Sequence, residues 1–348
     1  MVQLLSPEGE YGVPKEWAEY GKYIDRLTEA DFLKFYRDMA RMRRFDREAE
    51  ALQRQGQLGL WIPAIGQEAA QIGSGYAVGH NDHIFPSYRE HGVAITHGID
   101  LMSILKMLRG VNHGGWNPEE TRFHLYAIVL GTQVLHATGY AMGVKMDGKV
   151  GTGNLEEDLA VISYFGDGAT AEGDVSEAFL FAAINNSPLV FFCQNNQWAI
   201  SSSVETQTTV PFYQRGAGFG VPGIRIDGND VLAGLAVTRA LLDRAREGGG
   251  PAFTTTSKPS AHAASLACAA CRAGFSRSRV AAIGICSAST TRVADTIFLK
   301  RSGGASERSN DAKFEGFSGA WSFGPAVERC ASWRTATRAE REERRIIV

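Results

Sequence analysis

Two short apolar runs constrain this 348-residue chain more than any other feature. Residues 159–165 read LAVISYF and lead into Gly166-Asp167-Gly168; residues 188–193 read PLVFFC and lead into Gln194-Asn195-Asn196. Neither run alternates apolar with polar residues, and helical spacing from Val175 to Ile184 separates them. Unalternated strands joined by a helix are covered on both faces, the pattern of a parallel βαβ unit. A third unit follows, with GIRIDG (223–228) as strand and Asp230 to Arg246 as helix, so residues 159–246 read as α/β.

Upstream, Thr28 and Asp31 form a capping pattern ahead of a helix that carries Phe32, Tyr36, Met39, Met42, Phe45, Ala49 and Leu52 and runs to about Gly56. Residues 66–78, rich in small side chains, suit a helix lying close against other backbone. Residues 123–144 carry no Asp, Glu, Lys or Arg, which is long enough to span a bilayer. His124, Gln133, His136 and three glycines argue instead for a buried element of a soluble core, with Gly139-x-x-x-Gly143 marking close helix packing. The start, MVQLLSPEGEYG, has neither a basic n-region nor an apolar h-region, so no secretory signal and a cytoplasmic location are expected.

Composition divides the chain. Residues 1–251 hold 21 basic and 30 acidic side chains, whereas 252–348 hold 15 basic and 8 acidic ones and four of the five cysteines, Cys268, Cys271, Cys286 and Cys330. The whole-chain charge of −2 therefore averages two unlike parts and argues against a polyanion binder, so no nucleic-acid or membrane partner is expected. Past Pro251 no period of 2 or 3.6 persists, and no strand is expected after helix 230–246. Cys268-Ala-Ala-Cys271 is half of a zinc pair that Cys286 and Cys330 are too irregularly spaced to complete. The closing TATRAEREERRIIV mixes Glu with Arg and reads as a solvated helix.

The chemistry concentrates at the strand ends. In open parallel sheets ligands bind at the carboxyl ends of the strands, where a following helix N-terminus receives anionic groups. Gly166 and Gly168 let backbone approach a phosphate, and Gly168 and Ala169 offer N–H groups. Asp167 and Asn196 reach the same sheet edge from adjacent strands. A hard cation such as Mg²⁺, which takes oxygen ligands from one or two side chains, water and substrate phosphates, would offset the cost of burying them.

These residues carry a resemblance. Gly166-Asp167-Gly168, 26 intervening residues and Asn195-Asn196 are similar to the thiamine diphosphate motif, and the surrounding GDGATAEGDVSEAFLFAAINNSPLVFFCQNNQWAIS resembles the α subunit of the 2-oxo acid dehydrogenase E1 component. IGQEA (65–69), HIFPSYREHG (83–92) and GTQVLHATGYAMG (131–143) are similar to that family in the same order, so the resemblance covers about residues 28–251. It implies an α/β thiamine diphosphate-binding fold, a parallel sheet flanked by helices, over 28–251. Residues 1–27 would be an N-terminal extension and 252–348 an irregular or disordered tail. It further implies that Asp167, Asn196 and the Trp198 carbonyl bind Mg²⁺ and that Tyr88 and Arg89 hold the diphosphate. Gly166, Gly168 and Ala169 would line it, and Ile128 and Leu130 would lie under the aminopyrimidine. No catalytic residue is assigned.

The implied activity is oxidative decarboxylation of a small 2-oxo acid with acyl transfer to lipoyl groups of an E2 acyltransferase. An E1 β subunit would complete an α2β2 heterotetramer and supply the activating glutamate. Pyruvate is placed first on the breadth of the family. Thr132-Gln133 and FFCQNNQWAIS are similar to branched-chain members, a resemblance that implies a monovalent cation held by the Thr-Gln pair, and the Gly-Ser-Met-His segment common among pyruvate relatives is not seen between 109 and 131. Past Pro251 the family's histidine-bearing loop is replaced by PAFTTTSKPSAHAASLACAAC, so no role is assigned to His262. The abrupt break predicts a shifted reading frame over 252–348. The alternative to an active subunit is a catalytically defective cofactor-binding or interaction protein.

Overall fold

In this computed structural model the described residues are 1–257, apart from Glu8, His113, Leu155 and Glu156. The expectations for His262, the four clustered cysteines, the closing helix and the shifted frame beyond Ser257 lie outside the described residues. In chain order the helices are α1 (Ala18–Ile24), α2 (Glu29–Arg54), α3 (Glu68–Ala77), α4 (His91–Thr96), α5 (Leu101–Leu108), α6 (Pro118–Thr121), α7 (Thr132–Met146), α8 (Gly173–Ile184), α9 (Val204–Gln207) and α10 (Val231–Arg246). The strands are β1 (His83–Phe85), β2 (Val161–Gly166), β3 (Leu189–Asn195), β4 (Trp198–Ala199), β5 (Ser202–Ser203), β6 (Gly223–Asp227) and β7 (Ala252–Ser257).

Five strands form one parallel sheet in the order β1-β2-β3-β7-β6. Successive side chains of a strand point to opposite faces, and both faces here are apolar. Ile162, Tyr164, Val190 and Phe192 enter one core with Ile72, Leu232 and Leu235 of α3 and α10. Val161, Phe165, Leu189, Phe191 and Cys193 enter the other with Val134 and Ala137 of α7 and Ala178 and Phe179 of α8. Covering on both faces explains the unalternated runs.

The strand after α10 is present, contrary to expectation. β7 lies between β3 and β6, pairing Phe191 with Phe253 and Ile226 with Thr256. All six of its residues are buried, but three are threonines, which suit a pleated strand through β-branching while adding little hydropathy. The sheet thus continues to Ser257, six residues past the compositional break.

The Gly139/Gly143 expectation also fails. A Cβ built at either glycine would meet nothing within 4 Å, so both face open space. The small-residue helix 66–78 behaves as expected: a Cβ on Gly73 would strike the Val231 carbonyl of α10 and reach Leu235 N at 3.0 Å. Thr28 and Asp31 form the expected capping box, with Thr28 N–H donating to Asp31 Oδ2 at 2.8 Å. Residues at the amino terminus are woven into the same sheet edge: Val2 N–H donates to the Arg225 carbonyl at 2.8 Å, and Leu4 and Leu5 N–H donate to buried Asp230. Among the described residues no helix is long and apolar enough to cross a membrane.

Candidate functional site

The carboxyl ends of β1, β2 and β3 bring the expected residues to one edge of the sheet. β2 delivers Asp167 at its end; β3, paired with it so that Gly166 lies opposite Gln194, delivers Asn195-Asn196; the loop after β1 delivers Tyr88 and Arg89. Parallel strands fix this convergence, since each returns to the same edge before its helix begins.

Asp167 is buried, at 1% exposure. Burial pushes its carboxyl above the usual carboxylate range, opposed by hydrogen bonds from the Gln207 side chain and the Asn196 backbone and by the Arg89 charge. Gln207 Nε2 donates to Asp167 Oδ2 at 3.2 Å and to the Ser202 carbonyl at 3.1 Å, whereas Gln207 Oε1 is buried without a hydrogen-bond partner. Gln207 has no signal in the motif: only the packing of α9 against the turn at Asp167–Ala171 brings it here.

Asn196 Oδ1 accepts from Trp198 N at 2.9 Å, and Asn195 Oδ1 accepts from Gln197 N at 2.8 Å, so both side chains shape the loop leading into β4. Gln197 at φ 71 and Ile200 at φ 56 occupy the left-handed region. For β-branched Ile200 that conformation is strained. Arg89 Nη1 donates to the Pro63 carbonyl, and its guanidinium lies 5.7 Å from the Tyr88 ring centroid. A Cβ on Gly166 would meet nothing within 4 Å, leaving that strand end open. Gly168 packs on Ala199, where a Cβ would approach to 2.8 Å. Ala169 is buried in the core behind it.

Ile128 and Leu130 are 50% and 43% exposed, so neither is a core residue. They belong to an apolar stretch, with Leu125 and Val129, that faces open space just before Gly131. The stretch is anchored from behind: His124 Nε2 meets His83 Nδ1 at 3.2 Å, and Tyr126 OH meets His91 Nδ1 at 2.9 Å.

The donor set suits a hard cation. The expected set, the Asp167 carboxylate, the Asn196 carboxamide and the Trp198 carbonyl, would present oxygen alone, and the side chain that donates to buried Asp167, Gln207, is neutral. Among the described residues no group of three or more His, Cys, Asp or Glu side chains could hold a metal ion.

The profile of the family described as dehydrogenase E1 component matches residues 36–256. The α subunit of 3-methyl-2-oxobutanoate dehydrogenase from Mycobacterium tuberculosis is 42% identical over 251 residues, covering 72% of this chain and 65% of the relative. The pyruvate dehydrogenase E1 component α subunit of Staphylococcus aureus is 35% identical over 257 residues, 74% of this chain and 65% of the relative. This chain thus spans about 65% of the length of each relative. The solved structure of transketolase from Campylobacter jejuni superposes with a TM-score of 0.50 at 18% identity, over 65% of this chain and 37% of that one, and shares its fold. With a sheet of the expected parallel architecture and a family match over more than half its length, the chain belongs to the dehydrogenase E1 component family.

Proposed function

We propose that this chain is the α subunit of a 2-oxo acid dehydrogenase E1 component and binds thiamine diphosphate through Mg²⁺ at the β2 and β3 ends. The observation that carries the reading is Asp167, a buried carboxylate held by neutral hydrogen-bond donors beside Asn196 and an unpartnered Gln207 oxygen. A divalent cation supplies the charge such a group lacks.

In this reading Asp167, Asn196 and the Trp198 carbonyl hold the cation, with Asn196 Oδ1 turning away from Trp198 N to do so. Gly166, Gly168 and Ala169 bring backbone to the diphosphate, and Tyr88 and Arg89 close on it from the β1 loop. A guanidinium presents two parallel donors to phosphate, each charge-assisted bond contributing about 1.5–3 kcal/mol. Ile128 and Leu130 form an apolar wall for the aminopyrimidine. Bound thiamine diphosphate supplies the electron sink on which a 2-oxo acid loses CO₂. The residues here bind and orient it, and the glutamate that activates it comes from the partner E1 β subunit, which covers the apolar wall. The acyl group passes to lipoyl groups of E2. A cytoplasmic location goes with this reading.

The substrate is a branched-chain 2-oxo acid ahead of pyruvate. The 42% against 35% identities favour that order over the one reached from sequence. So does Gln133, whose Nε2 donates to the Tyr164 carbonyl at 2.8 Å while its buried Oε1 has no partner, an oxygen available to the monovalent cation that the Thr-Gln pair implies. The test is CO₂ release from 3-methyl-2-oxobutanoate and from pyruvate by the full chain with an E1 β subunit, thiamine diphosphate and Mg²⁺. Faster turnover of the branched substrate is expected. Pyruvate preference reverses the order, and no release from either supports a catalytically defective protein.

A further inference from the structure

Behind the site lies a buried polar chain that the motif does not account for. Gln194 Nε2 donates to Glu90 Oε1 at 2.5 Å, and Ser87 Oγ donates to Glu90 Oε2 at 2.8 Å. Gln71 Nε2 donates to Gln194 Oε1 and to the Arg89 carbonyl, both at 3.0 Å, while Gln71 Oε1 accepts from Gly92 N at 2.8 Å. Glu90, Gln71 and Gln194 are all buried. Burial raises the Glu90 carboxyl above its usual range, opposed by the Ser87 hydroxyl and the Arg89 charge.

The topology gives this chain its meaning. β2 lies between β1 and β3, so the loop carrying Tyr88 and Arg89 and the strand end carrying Asn195-Asn196 are not neighbours in the sheet. The Glu90–Gln194 bond joins them directly, one residue from Arg89 and one from Asn195. Gln71 fastens the same loop at the Arg89 carbonyl and the Gly92 amide. Every bond is local to the two arms that, in the function proposed above, must grip one diphosphate–cation pair from opposite sides.

We propose that Glu90 and Gln194 are positioning residues: their hydrogen bond fixes the spacing between the Arg89 arm and the Asn196 arm, and so sets cofactor affinity. The inference rests on the proposed thiamine diphosphate site for its consequence, but the spacing itself is a property of the unliganded chain. The two are separable by experiment. A carboxylate at 194 would face the Glu90 carboxylate and break the bond; exchanging both residues restores it with donor and acceptor reversed.

The test compares wild type, Gln194→Glu, Glu90→Gln and the exchanged pair, each as the full chain with an E1 β subunit, and the milder Gln194→Met should the charged variant fail to fold. Thiamine diphosphate is titrated calorimetrically in Mg²⁺, and hydrogen exchange of amides 87–92 is followed in the unliganded chain. Loss of a hydrogen bond to a charged group corresponds to a tenfold or larger effect. Gln194→Glu is expected to bind at least tenfold more weakly, with faster exchange at 87–92. The exchanged pair should recover to within about threefold, and kcat at saturating cofactor should change less than twofold. Wild-type affinity and exchange in Gln194→Glu would overturn the inference, as would a folded exchanged pair that recovers neither. If wild type binds no thiamine diphosphate, the functional reading falls, and the exchange pattern still decides the brace.

Discussion

Replacing Asp167 by Asn separates the role of its charge from its role in the fold. The carboxylate is 1% exposed and accepts from Gln207 Nε2 at 3.2 Å. Removing the charge weakens hydrogen bonds from about 1.5–3 kcal/mol each to about 0.5–1.5. It also removes the penalty of burying a carboxylate, which the raised titration of this group reflects. The two effects oppose each other at similar size, so the unliganded variant should unfold within about 1 kcal/mol of wild type, a shift in Tm of about 2–4 °C at most. Binding should respond very differently, because the cation loses its only charged ligand in the proposed set. A ligand at one hundred times its Kd stabilises by about 2.7 kcal/mol, or about 5–11 °C on the same scale. Thermal scanning with thiamine diphosphate and Mg²⁺, with E1 β subunit supplied, should show that rise for wild type and none for Asp167→Asn. A variant that keeps the ligand-induced rise would rule out Asp167 as the ligand of the cation. So would one whose unliganded form loses more than about 3 kcal/mol, since Asp167 would then be structural.

Three further outcomes are expected. Burial holds His91 down to about 3 and His83 and His124 to about 4, against about 6.5 in an unfolded chain. The unfolded state then takes up protons that the native state refuses. Stability is therefore full above pH 6.5 and lost as pH falls toward 4, by up to about 1.4 kcal/mol per pH unit per histidine. His91→Phe should flatten the melting-pH curve in that window by one proton's worth, and an unchanged slope would show that native His91 is already protonated. Phe253→Ala, in the strand between β3 and β6, should cost about 3–5 kcal/mol in urea unfolding; a cost under 1 would remove β7 from the core. Because β7 occupies 252–257, the shifted frame expected over 252–348 is narrowed to residues after Ser257; the coding DNA read in its other two frames should recover a histidine-bearing loop there, and its absence from both frames would end the shifted-frame explanation.

How much was legible follows from how local each signal is. The apolar runs ending at Phe165 and Cys193 state their double burial outright, and the Thr28–Asp31 box lies within four residues, so these elements are readable in the chain. β7 is not, because Thr254, Thr255 and Thr256 are buried for their shape while reading as polar. The Gly139-x-x-x-Gly143 spacing misleads because it fixes a smooth helix face but not what lies against it. Ile128 and Leu130 look like core to any hydropathy measure, and only their exposure in the folded chain sets them apart from it. The strand-end pair of Asp167 and Asn196 was legible from the βαβ unit. Gln207, Glu90 and Gln71 were not, since Gln207 meets Asp167, and Glu90 and Gln71 meet Gln194 beside Asn195, only through loops and helices distant in sequence.

Calorimetric titration of thiamine diphosphate into the full chain with an E1 β subunit, once in Mg²⁺ and once in chelator, shows whether the ends of β2 and β3 form a Mg²⁺-dependent thiamine diphosphate site. Saturable binding in Mg²⁺ that vanishes in chelator and in Asp167→Asn is predicted. Binding that is absent under both conditions, or equal in both, would contradict such a site.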